Sequence, residues 1–439
     1  MDERPPETPS ETATIPAPAP SAGRGGTGRL FRGEPQPPLG PNYRKLWAAS
    51  AISNLGDGVR LTALPLMAAE ITRDPAQIAA IDFASTLPWF LFALLAGAFV
   101  DRVDRRHAMG FANIFRALLV GVLALTVVGD NATMVLLYVV AFMLGCAETV
   151  FDNASQSILP ALVPKDQLER ANGRMYAAEF ITNQFAGPPL GAFLFVTAAA
   201  APFFLDAASF FIAALLILSF SGSFRTVRET KTSIRADIVE GLKWLWRHRL
   251  LRTLAICLGT WNMMSTATFS IFVLFALEVL GISQVGYGIL LATLTIGSVT
   301  GSLIGARVSR LLGTGTALIV QMAVGALAFL GIAFTSSPWI VGAIFVVEGV
   351  ITVVWNVITV SMRQSIIPSH LLGRVNSVYR LLGWGTMPIG AALGGFLASQ
   401  FGLRAPYVAG ALVLGLMTII AIPFINNRSV EAARAAAVD

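Results

Sequence analysis

Ionisable side chains are sparse in this chain, and several interrupt runs that are otherwise apolar. Asp57 and Arg60 lie three residues apart, and Glu148 and Asp152 four apart, so each pair shares one face of a helix. Glu348 stands in a third run, with Trp355 and Asn356 about two turns further on. Arg116 and Arg380 stand in two more, and Trp261 and Asn262 open a stretch rich in serine and threonine. A carboxyl group held among apolar residues beside another charge is suited to taking up and releasing a proton, and a charge in such a place is a functional candidate by default. Glu148 leads, followed by Glu348, Asp57 and Asp152. Arg116 reads as a structural partner for Glu148 or Asp152, and Arg380 as a further ion-pair partner. Asp57 and Arg60 read equally as a local pair that neutralises itself. Trp261 and Trp355, with Met263 and Phe269, offer an adaptable apolar wall for a bulky ligand, and packing accounts for them as readily.

Other chemistry finds no support. His107, His248 and His370 fall in connecting segments without acidic or serine partners at catalytic spacing, so no enzyme is expected. No glycine-rich piece ends in Gly-Lys-Ser/Thr, which excludes a phosphate-cradling loop of the ATP-hydrolysing kind. Cys146 and Cys257 sit inside apolar runs, apart from histidines and from each other, so neither a disulfide nor a metal site is expected. No cofactor is implied.

The elements that carry these residues follow from hydropathy. Of 439 residues only 13% are charged, against roughly 25% in a soluble domain. Runs of about 20 apolar residues recur, each able to cross about 30 Å of hydrocarbon as a helix. Twelve are predicted, over 46–70, 77–100, 108–128, 133–156, 172–198, 202–222, 251–279, 285–308, 316–336, 338–362, 374–400 and 405–425. The basic residues that give a pI of about 9.7 cluster in alternate connections, among them Arg102, Arg105, Arg106, Arg225, Arg228, Lys243, Arg307 and Arg310. The opposite set holds only Arg73 and Arg404. That bias is a membrane-topology signal rather than a nucleic-acid footprint, and it puts both termini in the cytoplasm.

Five regions follow. Residues 1–42 form a disordered Pro/Gly-rich tail, with nine of the 23 prolines before residue 41. Residues 43–222 and 251–425 hold six spans each. Residues 223–250 link them through an amphipathic helix lying on the membrane surface, with Ile234, Ile238, Leu242 and Leu245 at helical spacing. Residues 426–439 form a second cytoplasmic tail.

The two six-span regions echo each other. Gln156-Ser-Ile-Leu-Pro160 matches Gln364-Ser-Ile-Ile-Pro368, and Leu168-Glu-Arg-Ala-Asn172 matches Leu372-Gly-Arg-Val-Asn376. Gly187-Pro-Pro-Leu-Gly191 and Gly385-Thr-Met-Pro-Ile-Gly390 follow in the same order. Duplicated halves with a path between them are a recurring transporter plan.

The layout and the stretch between spans 2 and 3 resemble the major facilitator superfamily over roughly residues 43 to 425. Gly97, Asp101, Arg102, Arg105 and Arg106 match that family's signature, and Asp104 stands where the general pattern has glycine. The pieces QSILPALVP and LERANG, with Arg116, are similar to the branch of macrolide-efflux proteins and enterobactin-type exporters. The resemblance implies an all-helical membrane fold of two pseudo-symmetric six-helix bundles, with spans 1, 4, 7 and 10 lining a central cavity. It thereby places Asp57, Arg60, Glu148, Asp152, Trp261, Asn262, Glu348, Trp355 and Asn356 around that cavity. It further implies that Asp101 faces the start of span 11 as an inner latch, with Gly97 permitting close helix approach. The expected function is proton-coupled efflux of a bulky, partly apolar small molecule such as a drug, antibiotic or siderophore. The expected form is a monomer in a bacterial inner membrane. An importer of a small nutrient, or a membrane receptor on the same scaffold, are the alternatives.

Overall fold

In a chain this apolar, backbone groups in lipid must be satisfied within each segment, and helices do so. The computed structural model describes residues 38–100, 102–222, 224 and 234–435. The first half holds α1 (Pro41–Ile71), α2 (Pro75–Val100), α3 (Arg105–Val128), α4 (Met134–Leu162), α5 (Leu168–Glu179), α6 (Gly187–Thr197) and α7 (Ala201–Leu218). After α8 (Ile234–Arg247) come α9 (Arg249–Phe269), α10 (Phe272–Leu274), α11 (Gln284–Leu312), α12 (Thr314–Phe334) and α13 (Pro338–Ile366). The order closes with α14 (Ser369–Trp384), α15 (Met387–Phe401), α16 (Ala405–Ala421) and α17 (Asn427–Ala435).

Local chemistry sets the boundaries. Thr133 and Ser283 accept from backbone N–H groups in the first turns of α4 and α11, and prolines open α1, α7, α13 and α15. Gly313 and Gly402, with φ of 77° and 88°, end α11 and α15 in the left-handed region.

Each of the twelve predicted segments is helical over most of its length, but three are interrupted. A π-helical stretch, Phe180–Ala186, joins α5 to α6. The seventh segment bends by 47° between Phe269 and Phe272. The eleventh breaks at Gly385 and Thr386. By length and composition seven helices of the described residues can cross a membrane unaided, or eight if the bent pair is one span. Asp57 and Arg60 lower the apolarity of α1, and α16 has only 17 residues.

Within the first half, α1 packs on α6 and α7, α3 on α4 and α7, and α2 on α4; within the second, α9 packs on α15 and α16, α11 on α13, and α12 on α13 and α16. The repeated glycine pieces serve one packing role twice. Gly191 of α6 lies against the Val59 carbonyl of α1, and Gly390 of α15 against the Met263 carbonyl of α9. A β-carbon at either place would collide with backbone, so these helices meet more closely than side chains allow. The most extensive contacts between the halves are α2 on α15 and α6 on α11, and the residues from Leu39 onward cohere as one unit.

The cores differ at the two ends. Leu66, Ile78 and Phe203 from the first half share one continuous core with Phe272, Phe275 and Tyr407 from the second. At the opposite end, where the basic connections lie, each half has its own: Leu46, Met109 and Ile158 in one, Leu251, Met362 and Tyr379 in the other. The molecule is sealed at one end and parted at the other. Outward faces carry Leu118, Leu125, Leu303, Leu327 and Leu412 more than 60% exposed, as a lipid-facing surface requires.

Helix α8 docks on the second half. Leu245 is fully buried against the second half, and Gly241 abuts the backbone of α14 at Arg374. Arg374 donates to Glu240 at 2.6 Å. The exposed stripe is Val239, Leu242 and Trp246. Docking against α14 divides the predicted apolar face, because Leu245 finds a protein partner and Leu242 does not. The side chain of Ile234 lies outside the described residues.

Candidate functional site

Between the halves, on the parted side, lies a cavity of about 580 Å³ walled mainly by α1, α4 and α5. Asp57, Arg60, Arg116, Glu148, Asp152 and Glu179 line it, giving four carboxylates and two guanidiniums. The helical spacing read from the sequence delivers these groups: Asp57 and Arg60 share a face, and so do Glu148 and Asp152.

The pairing runs deeper than the sequence showed. Arg60 donates from Nη2 to Asp57 Oδ1 at 2.5 Å and from Nε to Asp206 Oδ2 at 2.9 Å. Asp206 is fully buried on α7, behind the cavity wall. Arg116 is 3% exposed and its Nη2 stands 3.9 Å from Glu148 Oε2, while its guanidinium lies over the rings of Phe151 and Phe210. Of the two acids proposed for Arg116, Glu148 is the partner in contact. Nearly half of the Glu148 side chain is open to the cavity, so it meets both water and a buried cation.

A second cavity of about 270 Å³ belongs to the carboxy-terminal half. Trp261, Asn262, Trp355 and Asn356 line it, joined by Arg363, Arg380 and Tyr379. Asn262 donates to the Gly383 carbonyl at 2.9 Å, and Trp261 stacks on Phe329. Trp384 lines both cavities and meets Trp89 of α2 edge to face at 5.2 Å. That ring pair crosses between the halves.

Three expectations need correction. Glu348 lines neither cavity: it is 6% exposed on α13, and its Oε1 has no hydrogen-bond partner among the described residues. Its position on α13 turns it into the bundle interior instead. Among the described residues Arg380 has no acid beside it and rests on the Trp384 ring at 4.7 Å, because α14 and its neighbours supply rings and amides there. Gly97 is not a close-approach point, since among the described residues a β-carbon would meet nothing nearer than Asn153 at 3.5 Å. Close approach of α2 and α4 is carried by Gly145, which abuts the Ser85 carbonyl.

The signature loop ties helix ends together. Arg105 donates to the Ser157 carbonyl of α4, and Arg106 to the Phe220 carbonyl beyond α7, each at 2.8 Å. Arg102 is exposed, and Asp101 lies outside the described residues. Asp104, the departure from the family pattern, caps α3 by accepting from Arg106 N at 2.9 Å and catches the Phe224 N–H at 3.0 Å. Burial pushes its carboxyl up, but the two backbone N–H groups and the Arg106 charge outweigh that and hold it below the ordinary carboxylate range.

Asp206, Glu179 and Gln321 went unremarked in the sequence, and Arg363 counted only as a basic residue of a connection. A charge within an apolar run was signal enough for Asp206 and Glu179.

The match to known proteins agrees with this geometry. Residues 36–438 match the family model described as transmembrane secretion effector, within the major facilitator superfamily. The chain belongs to this family. It is 28% identical over 400 residues to the multidrug efflux pump Tap of Mycolicibacterium fortuitum, covering 87% of this chain and 95% of that protein. It is 22% identical over 387 residues to the enterobactin exporter EntS of Escherichia coli, covering 87% and 92%. The fold is shared with the nucleoside transporter NupG, with TM-score 0.69, 12% identity and coverage of 88% and 99%. It is also shared with a bacterial homologue of the iron transporter ferroportin in an inward-facing state, with TM-score 0.68, 15% identity and coverage of 86% and 98%. This member of the superfamily is therefore a multi-pass membrane transporter of small molecules and not an enzyme.

Proposed function

We propose that the chain exports a bulky, partly apolar small molecule in exchange for protons, by alternating access in a bacterial inner membrane. The observation that carries this is the placement of Glu148, open to the cavity on one side and facing the buried Arg116 on the other. A proton on Glu148 removes the charge that holds Arg116 and favours one arrangement of the halves; its loss restores the other. The efflux names of Tap and EntS support the direction of movement. The positive-inside bias supports cytoplasmic termini, which makes the parted end the inner one and this state inward-open. The six-helix halves move as two bodies, with α2–α15 and α6–α11 as the sliding contacts. Asp101 and the arginines of its loop form the inner latch on this reading, and the protein works as a monomer.

Everted vesicles test it. With a proton gradient imposed, wild-type protein accumulates a fluorescent cargo and releases it when the gradient collapses. Glu148→Gln is expected to lose gradient-driven accumulation while keeping exchange of cargo at equilibrium. Full gradient-driven accumulation by that variant would remove Glu148 from the cycle. Accumulation in right-side-out vesicles instead of everted ones would reverse the direction and make the protein an importer.

A further inference from the structure

The wall of the path changes chemistry at Trp384. The first-half cavity is rich in carboxylates, whereas the second-half cavity contains no acid among its lining residues and presents two guanidiniums. Neither guanidinium lies on a carboxylate. Arg363 of α13 stands 3.9 Å above the Tyr379 ring, and Arg380 of α14 lies over Trp384. No ion pair engages either among the described residues. Gln321 of α12 is 6% exposed and lines the same cavity with both amide atoms unpartnered, and the Trp355 indole N–H and the Arg363 Nε are unpartnered as well.

Buried donors without partners, and cations without counter-charges, raise the free energy of the empty site. That energy is recovered when a ligand brings acceptor oxygens. The rings beside the arginines offer flat apolar faces at the same place. Arg363 lies near the end of α13 at the parted side, and Trp261 lies mid-way along α9, so charge is read near the mouth and ring deeper in.

We propose that the second-half cavity is a subsite for a planar aromatic anion, with the carboxylate or equivalent oxygens at Arg363 and Arg380 and the ring between Trp261, Trp355 and Tyr379. It rests on the transport reading above and adds the substrate class: a cargo whose anionic aromatic portion sits in the second half while any cationic portion faces the carboxylates of the first.

The test uses the full chain in nanodiscs of zwitterionic lipid and three probes on one ring system: 2-naphthoate, 2-naphthamide and 2-naphthylmethylammonium, measured by equilibrium dialysis. Naphthoate is expected to bind about tenfold tighter than the other two, as a charge-assisted pair predicts. Arg363→Gln and Arg380→Gln should each weaken naphthoate about tenfold and leave naphthamide unchanged, which also reports an intact pocket; Lys at either position should recover part of the loss. Should a Gln variant lose naphthamide too, the Lys variant decides, and a Lys variant that binds all three probes alike overturns the subsite. Equal binding of the three probes by wild-type protein, or preference for the ammonium, overturns it as well. So does loss of naphthoate binding when anionic lipid is added, which would assign the cavity to a headgroup. Charge-selective binding without movement across everted vesicles would sink the export reading alone, and gradient-driven export without charge selectivity would sink the subsite alone.

Discussion

Arg60 holds two carboxylates on different helices, Asp57 of its own α1 and Asp206 of α7, the latter fully buried. This clamp fixes α1, which lines the cavity, to a helix that does not. Removing the shared arginine leaves both carboxylates unpaired, one of them fully buried. Arg60→Met should therefore destabilise by about 3–5 kcal/mol, whereas Arg60→Met combined with Asp57→Asn and Asp206→Leu should recover most of that loss. Thermal unfolding followed by size exclusion in detergent checks both. A triple variant no more stable than Arg60→Met would show that the clamp's value lies outside these three charges.

The same clamp shows what a sequence discloses. Asp57 and Arg60 were legible because three-residue spacing on an apolar helix is itself a structural statement. Asp206 obeys the same cost rule for charges in apolar runs, but attention to the spans assigned to the cavity by resemblance passes it by. Arg363 was hidden by a boundary: a span ending at 362 makes it a loop residue, whereas α13 continues to Ile366 and carries it into the cavity. The helices were readable from run length alone. The π-helical stretch, the break at Gly385 and the single-ended fusion of the cores depend on contacts between distant segments, which hydropathy does not encode.

The glycines separate fold from motif. Gly191→Ala and Gly390→Ala each drive a β-carbon into a carbonyl, at Val59 and Met263, and should cost about 1–3 kcal/mol. Gly97→Ala meets only ordinary contact with Asn153, so its stability should stay within about 0.5 kcal/mol of wild type. Midpoints of thermal unfolding for the three variants decide. Equal losses at all three would mean that the signature glycine is packed as tightly as the repeat glycines.

Asp104 accounts for a break in the family pattern. Asp104→Ala removes the α3 cap and the hold on Phe224, and should weaken protection of the Arg106 and Phe224 amides by about 1 kcal/mol in hydrogen exchange. Because its carboxyl is held below the ordinary range, the stabilisation is complete above about pH 3.9 and is lost as pH falls through the lowered value. Asp104→Asn keeps a competent cap and should abolish that acid dependence. Identical acid profiles for wild type and the asparagine variant would assign the loss of protection to another group.

His248 links the docked helix to pH. It sits between α8 and α9, stacks on Trp244 at 5.3 Å, and accepts through Nδ1 from the Leu251 N–H at 3.5 Å as the cap of α9. Burial lowers its pKa, since a charged ring is poorly solvated there. The folded state thus prefers neutral imidazole: the stabilisation is complete above about pH 6.5, the ordinary value, and is lost as pH falls through the lowered one. A protonated ring also cannot accept from Leu251, so the cap and the stack fail together. Fluorescence of wild type minus His248→Gln isolates Trp244 among the eight tryptophans. That difference should titrate with a midpoint below about 6.5. A midpoint above that value would mean that an acid partner holds the ring charged, and would reverse the predicted weakening of the α8–α9 junction in acid.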